Sequence, residues 1–317
     1  MSVLIHAEHA GGKLRKGSLE LVTVARQLGG EVTALITGAD AAGPAEELAR
    51  CVDRVLHAAN VPSGNQEAAV TALAAAAAET GAKRVLLSNS RFGQATAPRL
   101  ALRLGAAFLE DVSSLEDSGG KLSATRLTYL SRVTETVETT AEKAVISVKP
   151  NTWDAAQPTG ADGTVSSFEP ELRETDLRVV SSAAQEAAAG KVSLSEAAVV
   201  VAGGRGLGSA EKFTELLEPL AAELKAGIGA TRAVVDAGWR PFAEQIGQTG
   251  QTVSPGLYIA LGISGAVQHL SGMNRSKVIV TVNRDADAPL FRISDYGIVG
   301  DAAEVVPELL AAVRELD

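Results

Sequence analysis

The sequence predicts an α/β protein with two domains, each a mainly parallel sheet covered by helices. Short apolar runs typical of strands alternate with helical segments, which is the pattern of a parallel sheet packed on both faces. The alternation stops once near the middle of the chain and then restarts. A chain of 317 residues is also longer than one hydrophobic core usually serves. We expect a first domain over 1–150, a linker or arm over 151–196, and a second, doubly wound domain over 197–317.

The first domain begins with strand–helix pairs joined by short loops. Ser18 is the expected N-terminal cap of the first helix, and Gly29 with Gly30 is its expected stop. In chain order the pairs are VLIHAE with GSLELVTVARQLGG, EVTALITG with PAEELARCV, DRVLHAAN with NQEAAVTALAAAAAETG, and AKRVLLSNS with ATAPRLALRLG. After Gly105 the segment KLSATRLTYLSRVTETVETTAEKAVISVKP is rich in Thr and Val. This texture predicts partly antiparallel strands that complete the sheet.

The second domain repeats the alternation after a stretch that lacks it. Residues 151–196 contain scattered Pro and Gly, mixed charges and one short helical pattern, AAQEAAAGK. The elements expected next are the strand AAVVVAGG, the helix EKFTELLEPLAAELKAG, the strands TRAVVDAG and LYIALGI, the helix SGAVQHLSGM, the strands KVIVTVN and GIVGD, and the helix AEVVPELLAAVREL. Together they predict a compact five-stranded parallel sheet.

The composition argues against several classes of function. The single cysteine, Cys51, allows neither an intrachain disulfide nor a cysteine-ligated metal or iron–sulfur cluster. A net charge of −9 without a basic patch argues against nucleic acid as a partner. The start MSVLIHAEHAGGK has no secretion or transit signal, and no apolar run reaches membrane-spanning length. We therefore expect a cytoplasmic protein without membrane insertion.

Three loops of the second domain could contact a ligand, and each has a structural alternative. The stretch GGRGLGS joins a strand to a helix and carries Arg205, which suits an anion or a tight turn equally well. Its spacing is neither that of a dinucleotide-binding fingerprint nor that of a P-loop. Arg232 near the start of TRAVVDAG reads by position as a solvated surface arginine. The polar turn IGQTG, residues 246–250, suits a ligand contact or a plain turn.

The stretch YIALGISGAVQHLSGM, residues 258–273, gives the strongest signal for a ligand. Ser264 is expected to cap a helix that begins near Gly265, and the free N–H groups of such a start can hold a diphosphate. Gly262 and Gly265 are expected to let the ligand approach the backbone. A lone histidine on an apolar helix, such as His269, is usually a packed core residue.

Polar residues also follow the last two strands of the second domain. Asn283 ends KVIVTVN, and Asp301 ends DYGIVGD. Ligands of open parallel sheets bind outside the carboxyl ends of the strands, where nearly all of these loops fall. The residues thus predict a large phosphate-bearing nucleotide cofactor, without specifying which one.

From about residue 198 to the end, the sequence resembles the large (alpha) subunit of electron-transfer flavoprotein. The resemblance rests on VVVAGGRGLGS, GATRAVVDAG, IGQTG, LYIALGISGAVQHLSGM, VNRDADAPLF and DYGIVGD, and more loosely on RVLLSNS in the first domain. Thr231 stands where many members have Ser, and Gly208 where others have Lys. The resemblance implies an electron carrier that binds one FAD and catalyses no substrate reaction of its own. It also implies a heterodimer with a beta subunit that carries AMP and is contacted by the first domain.

In this family, electrons come from acyl-CoA dehydrogenases of fatty acid beta-oxidation and leave to a membrane quinone oxidoreductase. The resemblance also implies roles for the motif residues. Ser264 and the backbone of Gly265, Ala266, Val267 and Gln268 would hold the diphosphate, and Asn283 and Asp301 the adenosine end. The loop of Ile246, Gly247 and Gln248 would lie along the flavin, with Thr249 at N5. Thr231 would be among the cofactor-binding residues, with Arg232 over the ring near N5 and Arg205 near the outer edge of the cofactor. His269, cationic if its pKa is raised, would face N1 and C2=O.

Three alternatives remain open from the sequence. The first is a bifurcating electron-transfer flavoprotein that uses NADH and a second flavin on the beta subunit. The second is an enzyme that binds NAD(P) or thiamine diphosphate on a similar second domain. The third is a regulatory protein whose first domain senses ATP or AMP, although residues 1–150 contain no phosphate loop.

Overall fold

The computed structural model describes residues 2–129, 132–160, 162–179, 194 and 197–315. The chain divides into two compact units, Met1–Gln185 and Glu186–Asp317. The main sheet of each unit is parallel and packs against helices, so the predicted fold class is confirmed. The helical pattern AAQEAAAGK lies outside the described residues.

The first unit is built on a seven-stranded parallel sheet. The strands of the whole unit, which include those of two smaller sheets, are β1 (Ser2–Ala7), β2 (His9–Ala10), β3 (Lys13–Leu14), β4 (Glu31–Thr37), β5 (Arg54–Ala58), β6 (Arg84–Ser88), β7 (Ala107–Val112), β8 (Ser114–Ser118), β9 (Lys121–Thr128), β10 (Val133–Thr139), β11 (Ala144–Val148) and β12 (Thr164–Ser167). Its α-helices are α1 (Lys16–Leu28), α2 (Ala42–Ala49), α3 (Gln66–Thr80) and α4 (Arg91–Leu104). The main sheet has the order β12-β5-β4-β1-β6-β11-β7, with an apolar core on each face.

The Thr- and Val-rich segment after Gly105 does not complete the main sheet as predicted. Strands β8, β9 and β10 form a separate antiparallel sheet, and only β11 joins the main sheet, as a parallel strand. The turn between β8 and β9 contains Gly119 and Gly120, both with positive φ. Such a turn pairs neighbouring strands with each other, and an alternating pattern alone does not reveal this choice of partner.

Two further features of the first unit differ from the sequence prediction. Ser18 is not the cap of α1, because the helix begins at Lys16 with Arg15 at the N-cap position. Instead the Ser18 hydroxyl accepts from the Glu8 N–H and donates to the Glu8 carbonyl, at 2.8 and 3.0 Å. Within the expected arm, β12 pairs in parallel with β5 and forms the edge of the main sheet.

The second unit is a five-stranded parallel sheet with the order β14-β13-β15-β16-β17. Its strands are β13 (Val199–Gly203), β14 (Gly227–Ala230), β15 (Leu257–Leu261), β16 (Val278–Asn283) and β17 (Tyr296–Val299). Its α-helices are α5 (Ala210–Glu223), α6 (Arg232–Asp236), α7 (Val267–Leu270) and α8 (Ala302–Arg314). Helices α5 and α8 pack together, and their apolar side chains contribute to one core cluster of the unit. A second cluster draws on the irregular segments around Ile246, Val253 and Met273.

The stretch TRAVVDAG is a helix in the structure and not the strand that its valines suggested. Strand β14 lies just before it, in the small-residue sequence Gly227–Ala230, and Thr231 is the N-cap of α6. A Cβ atom at Gly229 in β14 would overlap the Ile246 side chain. The propensity of valine for strands is weak evidence by itself, because it depends on packing neighbours that the adjacent sequence does not show.

Candidate functional site

The order of the strands in the second unit marks the two loops between which a ligand is expected to bind. In chain order the five strands lie 2-1-3-4-5, so the direction of winding reverses between β13 and β15. Open parallel sheets bind ligands at the carboxyl ends of the two strands that flank this switch point. The loop after β13 contains Gly204 and Arg205, and the loop after β15 contains Gly262 and Ser264.

The glycines of these two loops serve mainly to pack the loops against each other. The Gly206 N–H donates to the Gly262 carbonyl at 3.1 Å, and a Cβ at Gly204 would overlap that same carbonyl. Gly262 has a φ of 62° and Gly265 one of 92°, where a Cβ would meet Leu290. The backbone itself therefore requires glycine at these two positions, and their role in letting a ligand approach stays a prediction.

Residues 264–268 form a run of hydrogen-bond donors that is exposed except at the buried Gly265. Helix α7 begins at Val267 with Ala266 at the N-cap, and not near Gly265 with Ser264 as its cap. Within the described part of the chain, none of the N–H groups of residues 265–268 donates a hydrogen bond to another residue. Ser264, Ala266, Val267 and Gln268 are exposed. Because α7 is a single turn, its dipole is small, and these unpaired N–H groups are the feature that suits an anionic group.

The loop 245–251 lies directly beside this run of donors. The Gln248 N–H donates to the Gln268 carbonyl at 2.8 Å, and the Ile246 N–H donates to the Ala230 carbonyl at 2.9 Å. These bonds bring the loop next to Thr231 and Arg232, which directly follow Ala230. The Thr249 hydroxyl is exposed and accepts from the Gln245 side-chain amide at 3.0 Å. Thr249 therefore keeps its own O–H available as a donor.

The buried Arg240 anchors the start of the same loop. Its guanidinium makes two hydrogen bonds with the Glu244 carboxylate, at 2.5 and 3.0 Å, and one with Glu218 at 3.0 Å. It also lies over the Phe213 ring, 5.4 Å from the ring centre. Planar, bidentate pairing of this kind fixes orientation, so the loop starts from a rigid base.

His269 is buried and hydrogen-bonded through both ring nitrogens. Its Nε2 lies 3.0 Å from the Tyr258 hydroxyl, and its Nδ1 lies 3.1 Å from the Ile246 carbonyl oxygen. Burial lowers the pKa of His269 to about 4, with the Ile246 carbonyl opposing the shift. The cationic ring considered for this position is therefore absent near neutral pH, because burial disfavours its charged form.

Two arginines bring positive charge to this edge of the sheet. Arg205 is exposed, and its guanidinium makes no hydrogen bond or ion pair among the described residues, although its carbonyl accepts from the Gly208 N–H at 3.0 Å. The Arg232 side chain is 69% exposed and pairs with Asp236 at 3.3 Å. Arg232 is therefore a surface arginine, as its position in the sequence suggested. Its guanidinium is exposed enough to be reached by a ligand.

Asn283 and Asp301 follow β16 and β17 and already have structural partners. The Asn283 amide donates to the Ile263 carbonyl at 2.9 Å, and its oxygen accepts from the Asp285 N–H at 3.1 Å. Asp301 caps α8 through the Ala303 N–H at 2.9 Å and pairs with Arg284. The Ala303 N–H and then the Arg284 side chain lower the pKa of Asp301. Both side chains thus fix the loops at the far end of the same edge.

Sequence reasoning missed three residues of this region: Gln245, Arg240 and Tyr258. Each is hydrogen-bonded to another residue of the region: Gln245 to Thr249, Arg240 to Glu244, and Tyr258 to His269. The pattern offered one usable signal, a tyrosine within an otherwise aliphatic buried strand, because a buried phenol needs a polar partner. No cluster of metal-ligating side chains occurs among the described residues, and none of their helices has the length and apolarity needed to cross a membrane.

The fold and the site define a two-unit α/β protein whose second unit offers backbone donors to an anionic ligand at a parallel-sheet crevice. Comparison with known families agrees in both units. The model "Electron transfer flavoprotein domain" matches residues 3–172, and the model "Electron transfer flavoprotein FAD-binding domain" matches residues 193–274.

Similar proteins match along nearly the whole chain. The electron transfer flavoprotein subunit alpha of Mycobacterium tuberculosis (strain CDC 1551 / Oshkosh) is 41% identical, with 98% of each chain covered. The subunit alpha of Bacillus subtilis is 37% identical, covering 99% of this chain and 98% of that one. A probable mitochondrial subunit alpha of Caenorhabditis elegans is 39% identical, covering 98% and 93%. The chain belongs to the electron transfer flavoprotein family, as an alpha subunit.

Proposed function

We propose that this chain holds FAD in its second unit and works as an electron carrier in a heterodimer with a beta subunit. The observation that carries the proposal is the run of unpaired N–H groups at residues 265–268, beside the exposed Ser264, in the unit that matches a FAD-binding family. Several N–H donors in one short run suit the two phosphates of a dinucleotide. Bound FAD would supply a ring that accepts and releases electrons.

The residues around this run take complementary roles in the proposal. Ser264 and the N–H groups of residues 265–268 bind the diphosphate, and the loops of Asn283 and Asp301 lie at the adenosine end. Thr249, held by Gln245, offers an O–H to the flavin at N5. Arg232 and Arg205 supply positive charge beside the ring, with Thr231 fixing the start of α6. Ile246 and Gly247 shape the loop that lies along the flavin.

The partners follow from the family and are proposals as well. The subunit names of the relatives support a beta subunit as partner, contacted by the first domain, 1–150, and carrying AMP. We also keep as a proposal the division into a linker or arm over 151–196 and a FAD-binding domain over 197–317. We further propose acyl-CoA dehydrogenases of fatty acid beta-oxidation as electron donors and a membrane quinone oxidoreductase as acceptor. A cytoplasmic location stays a prediction, which cell fractionation tests.

The test is co-expression of the chain with its beta subunit, followed by cofactor extraction and visible spectroscopy. We expect a yellow complex with one FAD per heterodimer, which an acyl-CoA dehydrogenase and its substrate reduce. Reduction by NADH alone would instead indicate a bifurcating carrier. A colourless complex, or one that releases NAD(P) or thiamine diphosphate, would overturn the proposal. The chain expressed alone is expected to bind FAD poorly.

A further inference from the structure

Tyr258 and His269 form a buried pair that ties three elements of the second unit together. Tyr258 lies in β15 and is fully buried, whereas His269 lies in α7 and is 6% exposed. The phenol oxygen is 3.0 Å from His269 Nε2, and the Ile246 carbonyl of the loop 245–251 is 3.1 Å from Nδ1. Every hydrogen-bonding position of the imidazole ring is therefore already used within the protein.

Elementary chemistry fixes where the ring proton resides. A carbonyl oxygen only accepts, so Nδ1 of His269 carries the proton and donates it to Ile246. The other nitrogen, Nε2, is then an acceptor, and the phenol of Tyr258 is its donor. Burial lowers the pKa of His269 to about 4 and raises that of Tyr258, so both groups are neutral at pH 7.

The surroundings of His269 reinforce this neutral state. The contacts of the ring come from Tyr258 in β15 and from Ile246 in the loop 245–251, and the other polar side chains of that loop, Gln245, Gln248, Thr249 and Gln251, are uncharged. Glu244 precedes the loop and is bound to Arg240. Among the described residues, burial and the Ile246 carbonyl are the influences on the His269 pKa, and no charged side chain contributes.

We propose that Tyr258 is a positioning residue of the flavin site, which holds His269 as a neutral ring protonated on Nδ1 and reverses from donor to acceptor when His269 gains a proton. The inference rests on the proposed function together with the expected position of His269 facing N1 and C2=O of the flavin, where negative charge would appear when electrons arrive. One proton from solvent then binds Nε2, the new N–H donates to the phenol oxygen, and the phenol hydrogen turns away. Without this pair, a buried imidazolium would lack a partner for Nε2.

Nitrogen-15 NMR of the histidines tests the pair without any flavin. Of the four histidines, His9 and His57 donate through Nε2 to the carbonyls of Thr37 and Gly38, His269 donates through Nδ1, and neither ring nitrogen of His6 has a hydrogen-bond partner among the described residues. In a His6→Leu background, we expect a single ring with the Nδ1–H form, and its loss when His269→Gln is added. In Tyr258→Phe, the His269 Nε2 signal should move toward that of a free acceptor nitrogen. Tyr296→Phe, at a 68% exposed tyrosine, is the matched control and should leave it in place.

An Nε2–H form of His269, or an unchanged signal in Tyr258→Phe, would overturn the proposal.

The complex with FAD and the beta subunit supplies the second measurement, the midpoint potential as a function of pH. We expect the wild-type potential to fall as pH rises, by at most 59 mV per pH unit, and the window of this slope to move down by about one unit in Tyr258→Phe. The same pH window of the slope in Tyr258→Phe and Tyr296→Phe would contradict it. Absence of bound FAD would contradict the proposed function and leave the NMR result standing.

Discussion

The two units use the same type of sheet, yet their switch points contain opposite chemistry. In the first unit the winding reverses between β1 and β6, and the residue after β1 is Glu8. Ser90, which follows β6, donates its hydroxyl to the Glu8 carboxylate at 2.6 Å. In the second unit the corresponding loops present glycine backbone, unpaired N–H groups and the exposed Arg205. A parallel sheet thus provides the place for a ligand, and a few side chains decide whether an anion is accepted there.

The largest expected effect comes from giving the second unit a carboxylate at its switch point, as Glu8 gives the first unit. Ser264→Asp places a carboxylate beside the proposed phosphates. Unit charges about 5 Å apart repel by about 3 kcal/mol at an effective dielectric constant near 20, which corresponds to roughly 100-fold weaker binding. We expect FAD content and ADP affinity to collapse while circular dichroism is unchanged. Ser114→Asp, at an exposed serine of the first unit, is the control. Full FAD occupancy in Ser264→Asp would place the phosphates elsewhere.

Acid stability offers a second comparison, because each unit contains one deeply buried histidine. Burial lowers the pKa of both His6 and His269 to about 4, and the His9 charge adds to the effect at His6. The unfolded chain binds these protons near pH 6.5, so the stabilisation is complete above that pH and is lost as pH falls toward 4. We expect each unit to lose on the order of 2–3 kcal/mol over this window.

The two tryptophans allow the units to be followed separately. Trp153 packs on a core cluster of the first unit, and Trp239 packs on one of the second. In a Trp239→Phe background, His6→Leu should flatten the pH dependence of urea unfolding seen by Trp153. In a Trp153→Phe background, the same substitution should leave the Trp239 curve unchanged. Equal pH dependence with and without His6 would show that other groups control acid unfolding.

Removing a positive charge from the second unit is expected to have a smaller effect, on the midpoint potential of the flavin. Arg232 is a positive charge proposed to lie beside the flavin, but solvent and Asp236 screen it. Arg232→Ala should lower the midpoint potential of the first electron by roughly 60 mV, a tenfold change in the equilibrium. Arg232→Lys should lower it less, because the charge is kept. Arg314→Ala, at another paired surface arginine, should leave the potential of the complex unchanged. A potentiometric titration in which all variants coincide would return Arg232 to an ordinary surface role.

The same comparison shows what the sequence could predict. Strand–helix alternation specified both sheets because each element has its own period of burial, and the loops at the carboxyl ends of strands followed from topology. What it did not specify depends on contacts between distant residues. The valines of TRAVVDAG favoured a strand where the structure has the helix α6, and Ser264 was expected to cap a helix that instead begins at Val267. Likewise, the neutral state of His269 depends on its burial against Tyr258, which adjacent sequence does not reveal.

The smallest expected effect is that of Glu8→Gln. This variant tests whether the charge of Glu8 alone explains why the first unit would not bind an anion where the second unit would. Glutamine keeps an oxygen for the Ser90 hydroxyl but loses the charge assistance, so we expect the first unit to lose about 1 kcal/mol of stability. Its Trp153 unfolding curve reports this loss. We expect no new ADP binding, because the Ser18 hydroxyl already binds both the Glu8 N–H and its carbonyl, which leaves this backbone no free donor. Calorimetry of Glu8→Gln combined with Ser264→Asp isolates the first unit. Micromolar ADP affinity in that double variant would mean that one carboxylate, and not the arrangement of backbone donors, distinguishes the two units.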